Sequence, residues 1–315
     1  MNIAIIGATS QIFNDLFFQW IENGKEYSVF LYARNTYELD EKYSSVPYLG
    51  SIEILDIKDF ISSEYKFDAV INFIGGGDPV KIKRFGKDIL YSTRYYDDIV
   101  LSYLEKNNKC KYVYISSGAV YGNAFNLSGV EQTSPSIHSI NDFGTTDFYS
   151  VAKFYAEAMH RANQEYDIVD IRVFNIFSRT TNINNRFFIT DVARAIYENK
   201  KLTTSPDDMV RDYIHPSDFF KMVDAFLLYD GRFNLAVDCY SKSPISKFEI
   251  LDLLSERYRL KWEINPDLKS LNTSGMKMNY YSNNKIASQF GFEPEYSSAD
   301  TICSSISAIL QEKKK

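Results

Sequence analysis

Three side chains of this sequence could move a proton together: Ser117, Tyr149 and Lys153. Tyr149 and Lys153 are the ends of YSVAK, and positions i and i+4 share a helix face, so the lysine would stand beside the tyrosine. A tyrosine hydroxyl ordinarily titrates near ~10. An adjacent ammonium favours phenolate and lowers that value, so the phenol could give or take a proton near neutrality. Ser117 closes the run KYVYISS, where its hydroxyl could hydrogen-bond a reacting oxygen. The Tyr-Lys spacing recurs at Tyr197/Lys201 and Tyr281/Lys285. Only Tyr149 follows a strand ending in serines. The other two pairs read as surface helix residues.

The elements that must position this set alternate along the chain. YSVFLYA (27–33), SIEIL (51–55), DAVINFI (68–74), KYVYISS (111–117) and DIVDIRVF (167–174) read as strands. They show little period-2 alternation, as expected of strands buried on both faces. Residues 88–107 and 148–164 carry apolar residues at helical spacing. The alternation predicts an α/β fold, a Rossmann-type doubly wound parallel sheet, with ligands beyond the carboxyl ends of the strands. After about residue 175 it loosens into helices at 189–199, 217–229 and 245–258, where Ser246 and Glu249 have capping-box spacing. The expected division is a dinucleotide-binding domain over 1–175 with the Ser/Tyr/Lys set. A smaller substrate-binding lobe covers mainly 176–315, with some segments returning to the first domain.

The first strand runs into GATSQIF, which has the order of a dinucleotide-binding turn: strand, tight loop, helix N-terminus. It keeps Gly7 of three expected glycines. Ser10 or Gln11 stands at the second place and Phe13 at the third. Backbone N–H groups at a helix start attract phosphate whatever the side chains, and Ser10 and Gln11 can add donors. Phe13 blocks close helix–strand packing, so the helix is expected to shift outward with Phe13 turned into the core. Gly7, Thr9, Ser10, Gln11 and Ile12 are the expected cofactor contacts. The second strand ends at Arg34 and Asn35. An acidic residue there would select NAD; an arginine accommodates the 2′-phosphate of NADP. NADP(H) is therefore the expected cofactor, with NAD(H) as the alternative.

The 315 residues carry a net charge of -6 and 45% apolar residues. That argues against a nucleic-acid or anionic-membrane surface. No uncharged run is long enough to span a bilayer, and the N-terminus lacks the basic start of a signal peptide. Cys110, Cys239 and Cys303 are scattered and odd in number, and there are three histidines. Neither a disulfide framework nor a metal centre is expected, and the reading is cytoplasmic.

GATSQIF, SSGAVYG, YSVAKFYAEAM, DIRVFN and RDYIHPSD, in that order, resemble the extended short-chain dehydrogenase/reductases of the NAD-dependent epimerase/dehydratase group, which modify nucleotide-diphosphate sugars. The resemblance implies Ser117, Tyr149 and Lys153 as catalytic residues, with Lys153 also bridging the nicotinamide ribose hydroxyls. It implies Asp56 and Ile57 beside adenine, and Phe73, Ile74 and Gly75 to Gly77 lining the cofactor. Asn175 and Arg211 match residues near the substrate diphosphate, and a second diphosphate arginine has no clear counterpart. Ser117, Gly118, Tyr149 and Arg186 would face the sugar, while His215 and Asp218 read as structural. A homodimer through 86–107 and 148–164 is implied.

Dehydratase-like members carry an Asp–Glu pair after the strand-end serine or threonine, and GDP-fucose-synthase-like members a cysteine. Here Gly118 and Ala119 follow. Two reactions remain: reduction of a sugar keto group at C4, which Arg34 favours, and C4 epimerisation on a retained NAD. A non-catalytic NADPH-binding sensor or scaffold is the alternative of another class, since a fold does not fix a function.

Overall fold

The computed structural model describes residues 1–75, 82, 84–126, 128–268 and 277–312. In chain order the strands are β1 (Asn2–Ile6), β2 (Ser28–Ala33), β3 (Ser51–Asp56), β4 (Ala69–Asn72), β5 (Lys111–Ser117), β6 (Ile168–Val173), β7 (Lys201–Thr204), β8 (Val210–Arg211), β9 (Asn234–Cys239), β10 (Ile245–Ser246), β11 (Lys261–Ile264) and β12 (Asn279–Tyr280). The helices are α1 (Gln11–Glu22), α2 (Thr36–Tyr43), α3 (Ile57–Ile61), α4 (Asp88–Lys106), α5 (Thr145–Ala162), α6 (Phe188–Glu198), α7 (Pro216–Leu228), α8 (Lys247–Tyr258) and α9 (Ser298–Glu312).

Seven parallel strands form one sheet in the order β3-β2-β1-β4-β5-β6-β9. The doubly wound sheet expected from the sequence is present. Side chains alternate between its faces. Ile3, Ile5, Leu31, Val113 and Ile115 face one apolar core with α1 and α7. Ala4, Ile6, Tyr32, Tyr112 and Tyr114 face another with α4 and α5. Covering both faces is what lets these strands dispense with a polar side. Strand order reverses between β1 and β4, and the crevice this opens is where such sheets bind ligands.

β4 is shorter than expected. The Asn72 side chain accepts the Ile74 N–H at 2.9 Å, turning the chain out of the sheet before Gly75. The helix at α5 starts earlier than expected, because Gly144 provides an extended N-cap whose N–H is accepted by Asp147 at 2.8 Å. The capping box at Ser246 and Glu249 forms as its spacing implied.

The C-terminal region makes its own core from α6, α8 and α9, including Val192, Leu251 and Ile306. β10-β8-β12 form a small sheet beside it. β9 returns to the central sheet, and Phe219 and Phe226 of α7 enter the first core. The two extra Tyr-Lys pairs are not helical pairs. Tyr197 lies in α6 but Lys201 opens β7. Tyr281 follows β12, and Lys285 sets its ammonium 3.6 Å from the Tyr240 ring centroid. Asn199, left-handed at φ 54°, ends α6 before Lys201, and Ser282, Asn283 and Asn284 hold the chain out of a helix between Tyr281 and Lys285. The three cysteines are buried and free. No helix is long and apolar enough to cross a membrane, among the described residues.

Candidate active site

At the crevice, the turns after β1 and β4 touch. Gly7 has φ +80°, and a Cβ there would lie 3.0 Å from Ile74 Cγ1 and 3.3 Å from the Phe73 carbonyl carbon. Only glycine fits both the angle and the space. Ser10 is the N-cap of α1 but makes no side-chain cap bond, and the first turn has no acidic residue. The opening N–H groups of α1 are thus left for an anion. Thr9 is exposed; Ser10, Gln11 and Ile12 are half-buried.

Phe13 is fully buried, as expected, with its ring 5.5 Å from Phe73 and 5.9 Å from Tyr43. Gln11 does not serve the loop as expected. Its amide donates to Thr181 Oγ1 at 3.0 Å and to Ser178 Oγ and Asp15 at 3.3 Å. Polar partners on the segment after β6 outbid open solvent for a half-buried amide.

Arg34 is exposed at the end of β2, and Asn35 is the N-cap of α2. Asp56 caps α3 by accepting the Lys58 N–H at 2.9 Å, and Ile57 is buried. Phe73 is buried; Ile74 and Gly75 are half-buried. Gly76 and Gly77 lie outside the described residues. Gly75 has φ +105°, and a Cβ there would come within 2.8 Å of Lys153 Nζ. The bare backbone at Gly7 and Gly75 and the uncapped start of α1 suit a dinucleotide.

Beyond Gly75 stand the catalytic candidates. Ser117 ends β5 and accepts the Ala119 N–H at 3.1 Å. Tyr149 and Lys153, on α5, are 8% and 1% exposed. Lys153 Nζ donates to the carbonyls of Ile74 (3.0 Å) and Ile115 (2.8 Å) and to the Tyr114 hydroxyl (3.0 Å). All three of its protons are engaged. Burial pushes Lys153 down to about 7, against the pull of Asp97, Glu157 and Asp170.

Tyr149 differs from its expected state. Burial raises it above the ordinary tyrosine value, opposed by a hydrogen bond with Ser117. The Lys153 ammonium is directed at carbonyls and Tyr114 and does not lower it. Tyr149 is therefore a neutral phenol here, equipped to donate.

Tyr280 is a site residue that no sequence motif marks. Its hydroxyl lies 3.4 Å from Ser117 Oγ. Burial raises its pKa, a hydrogen bond with Ser117 opposes this, and Tyr149 adds to the rise. β12 pairs with β8 so that Tyr280 lies opposite Arg211, and no local pattern foretells a two-residue strand.

Arg211 is 9% exposed and has no carboxylate partner among the described residues. Its guanidinium donates to the carbonyls of Val210 (2.8 Å) and Met278 (3.3 Å) and sits 6.0 Å from the Tyr280 ring centroid. The neighbouring Asp212 turns away to the Ser241 N–H and the Ser298 hydroxyl. Burial lowers the Arg211 pKa. Lys277, 7% exposed, is a second cation, with Nζ 4.9 Å from the same ring. Burial, then Arg211, push it down to about 8. Two buried cations on one ring, neither in a salt bridge among the described residues and with Asp147 acting on Lys277 only as the weakest influence, suit a dianion.

Asn175 donates its amide to the Asp212 carbonyl at 2.9 Å, beside Arg211. Arg186 is exposed in the turn before α6. His215 and Asp218 are structural: His215 caps α7 by accepting the Ser217 N–H, and Asp218 accepts the N–H groups of Glu295 and Tyr296. Gly118 is closed to any larger residue, since a Cβ would meet the Phe174 ring at 2.6 Å.

A family profile described as the NAD dependent epimerase/dehydratase family matches residues 3–236. The chain belongs to that family. A UDP-glucose 4-epimerase of Cyamopsis tetragonoloba is 30% identical over 132 residues, a stretch spanning 40% of this chain and 34% of that protein. The match thus covers about a third of that relative's length.

Among solved structures, the UDP-glucose 4-epimerase of Thermotoga maritima with UDP-glucose superposes with a TM-score of 0.79 at 16% identity, covering 100% of both chains. The UDP-glucuronic acid 4-epimerase of Bacillus cereus, in complex with UDP-glucuronic acid and NAD, gives 0.79 at 18% identity, covering 99% of this chain and 100% of that one. These likenesses show the epimerase/dehydratase fold from end to end.

Proposed function

We propose that this family member is a C4 epimerase of a nucleoside-diphosphate sugar, working with NAD. One observation carries the reading. The Ser117 hydroxyl is hydrogen-bonded to those of Tyr149 and Tyr280, and the cations of Arg211 and Lys277 lie 6.0 and 4.9 Å from the Tyr280 ring centroid. Proton chemistry is thereby set beside a dianion grip. Gly118 supports the choice of reaction: Phe174 fills the space that an elimination acid or an enolising cysteine would need. The names of the relatives also favour C4 epimerisation over the keto reduction that Arg34 suggests.

When bound, NAD would supply the hydride acceptor and donor that takes C4 from alcohol to ketone and back. Tyr149 must be the phenolate to take the proton from the C4 hydroxyl, a state that the positive charge of a bound nicotinamide ring would favour over the neutral phenol of the free enzyme. The phenol so formed returns the proton to the C4 oxygen when the ketone is reduced. Ser117 hydrogen-bonds the same oxygen and keeps it beside the phenol. Lys153, directly beneath Gly75, places its charge against the surface where the nicotinamide ribose would lie. Arg211 and Lys277 hold the diphosphate while the sugar presents its other face, which inversion at C4 requires.

The test is interconversion of UDP-glucose and UDP-galactose by purified protein with NAD. Absence of exchange with these and with other UDP-hexoses, while NADPH-dependent reduction of a 4-keto sugar proceeds, would replace the epimerase with the reductase. Absence of both, with NADPH bound, would leave the sensor or scaffold.

Arg211→Leu should raise the Kd for UDP about 10–100-fold, the loss expected for a charge-assisted hydrogen bond, with NAD binding unchanged. Calorimetric titration reads both, and unchanged UDP affinity would remove Arg211 from the substrate site.

Cofactor choice is read by fluorescence titration with NADH and NADPH. The epimerase reading expects NADH to bind at least as tightly. Arg34 is exposed and without a partner among the described residues, which favours the second reading, reduction with NADPH. Under that reading NADPH binds tenfold tighter, and Arg34→Glu reverses the order.

The homodimer implied by the resemblance belongs to this proposal. Exposed Tyr91 and Tyr95 on α4 and Phe154 on α5 would be covered in it, and light scattering gives the mass.

A further inference from the structure

Helix α1 carries Gln11, Asp15, Phe18 and Glu22 on one stripe, at steps of four, three and four residues. At roughly 100° per residue this stripe lies opposite Phe13 and the apolar face. Residues 178–181, which follow β6, run along it as a strap. Gln11 donates to Ser178 and Thr181. Ser178 Oγ donates to Asp15 at 2.9 Å, and Thr180 Oγ1 donates to the same carboxylate at 2.7 Å. The Arg179 guanidinium lies 5.3 Å from the Phe18 ring centroid and pairs with Glu22 at 3.2 Å. Asp15 and Ser178 are 3% and 2% exposed. Burial raises the Asp15 carboxyl above its usual range, while bonds from Thr180, Ser178 and Gln11 hold it down.

The strap is anchored at its other end. Phe177 is fully buried in the C-terminal core, and its carbonyl accepts the Ser305 hydroxyl at 2.8 Å. Nothing in the proton chemistry uses these groups. They explain a difficulty in the loop. A phosphate site made of helix N–H groups works only while the helix start keeps its place. The third glycine of such loops serves that end by letting helix and strand approach closely. Here Phe13 stands in that glycine's place on the sheet side of α1, its ring packed on Phe73.

We propose that Asp15 and Ser178 are positioning residues for the cofactor: the strap fixes the first turn of α1 from the solvent side, in place of the lost glycine contact. The inference rests on the dinucleotide reading of the loop. It makes cofactor affinity depend on a segment on the far side of α1 from the loop's strand, and the dependence should fade along the helix.

The test compares wild type with Ser178→Ala, Asp15→Asn and Arg179→Ala by NADH fluorescence titration, with UDP affinity measured alongside. Ser178→Ala and Asp15→Asn should each raise the NADH Kd about tenfold and leave UDP binding within twofold. Arg179→Ala, at the far end of the stripe, should change NADH binding less than threefold. Ser178→Thr, which keeps the hydroxyl, should restore most of the affinity. If Ser178→Ala fails to fold, Gln11→Ala at the half-buried edge of the strap asks the same question, with about a threefold to tenfold loss expected. NADH binding unchanged in these variants overturns the strap while leaving the dinucleotide reading intact. Equal losses for NADH and UDP mean general loosening and overturn it too. Failure of the wild type to bind NADH or NADPH removes the dinucleotide reading and the inference together.

Discussion

Tyr149→Phe should lower turnover of the nucleotide sugar about 10²–10⁴-fold, the contribution of a positioned acid–base group, and leave NADH affinity within twofold. The phenyl ring keeps the packing. Tyr149 lies with Ile89 and Ala119 in a small apolar cluster, so removing only the oxygen spares the fold. What is lost is the proton carrier at the reacting oxygen. Ser117 remains but cannot replace it, because an alcohol is a far weaker acid than a phenol. Tyr280 remains as well, 3.4 Å from Ser117 Oγ, and makes the experiment sharper. If Tyr280 relays the proton, Tyr149→Phe would keep activity within tenfold of wild type and Tyr280→Phe would abolish it. That outcome would move the acid–base role to a residue of the small sheet, on β12. Burial raises the pKa of both Tyr149 and Tyr280, so the two variants, rather than a pH profile, separate the cases.

The fold was legible because strands buried on both sides have a plain signature. SVFLYA and KYVYISS lack a polar alternate, and the helices between them carry apolar stripes. β5 matches its expected bounds, Lys111–Ser117, because its residues are buried from Tyr112 to its end. The Ser/Tyr/Lys set was legible from its order along the chain, and their neighbourhood at the strand ends follows from topology.

Three features were not legible, for one shared reason. Tyr280, Lys277 and the strap at 178–181 gain their places from long-range pairing: β12 on β8, and Ser178 on Asp15. No local period announces such contacts. Asp15 and Ser178 look like ordinary polar residues until the helix and the loop meet. The state of Lys153 was hidden similarly. Its spacing from Tyr149 implied a cation aimed at the phenol. The carbonyls of Ile74 and Ile115 come from two other strand ends and take it instead.

The same limit applies to His160, which the sequence offered only as one of three histidines and which the structure makes the centre of the largest stability effect. Its imidazole is fully buried on α5, with Nε2 2.9 Å from Asp97 of α4 and Nδ1 2.5 Å from Asp170 of β6. Burial alone would lower its pKa; Asp170 and Asp97 outweigh burial and push it up to about 10. At neutral pH it is the cation between two buried carboxylates, and Arg161 reaches Asp170 from outside at 2.8 Å. His160→Gln keeps hydrogen-bonding capacity but removes the charge, leaving Asp97 without its cation and Asp170 with Arg161 alone. Breaking a buried pair in this way costs about 3–5 kcal/mol.

The pH dependence has a definite sign. The folded value lies above the unfolded ~6.5, so the His160 contribution is complete below that pH and is lost as pH rises through about 10. Lys153 runs the opposite way: its folded value of about 7 lies below its ordinary one, so its penalty is relieved as pH rises. The two trends offset each other in the wild type, and the difference between wild type and variant isolates the histidine. Urea unfolding of both proteins from pH 6 to 10 should give a gap of about 3–5 kcal/mol at pH 6, narrowing toward pH 10. A gap that stays constant with pH would mean that His160 stabilises the fold by packing against Tyr112 and Tyr114 rather than by charge.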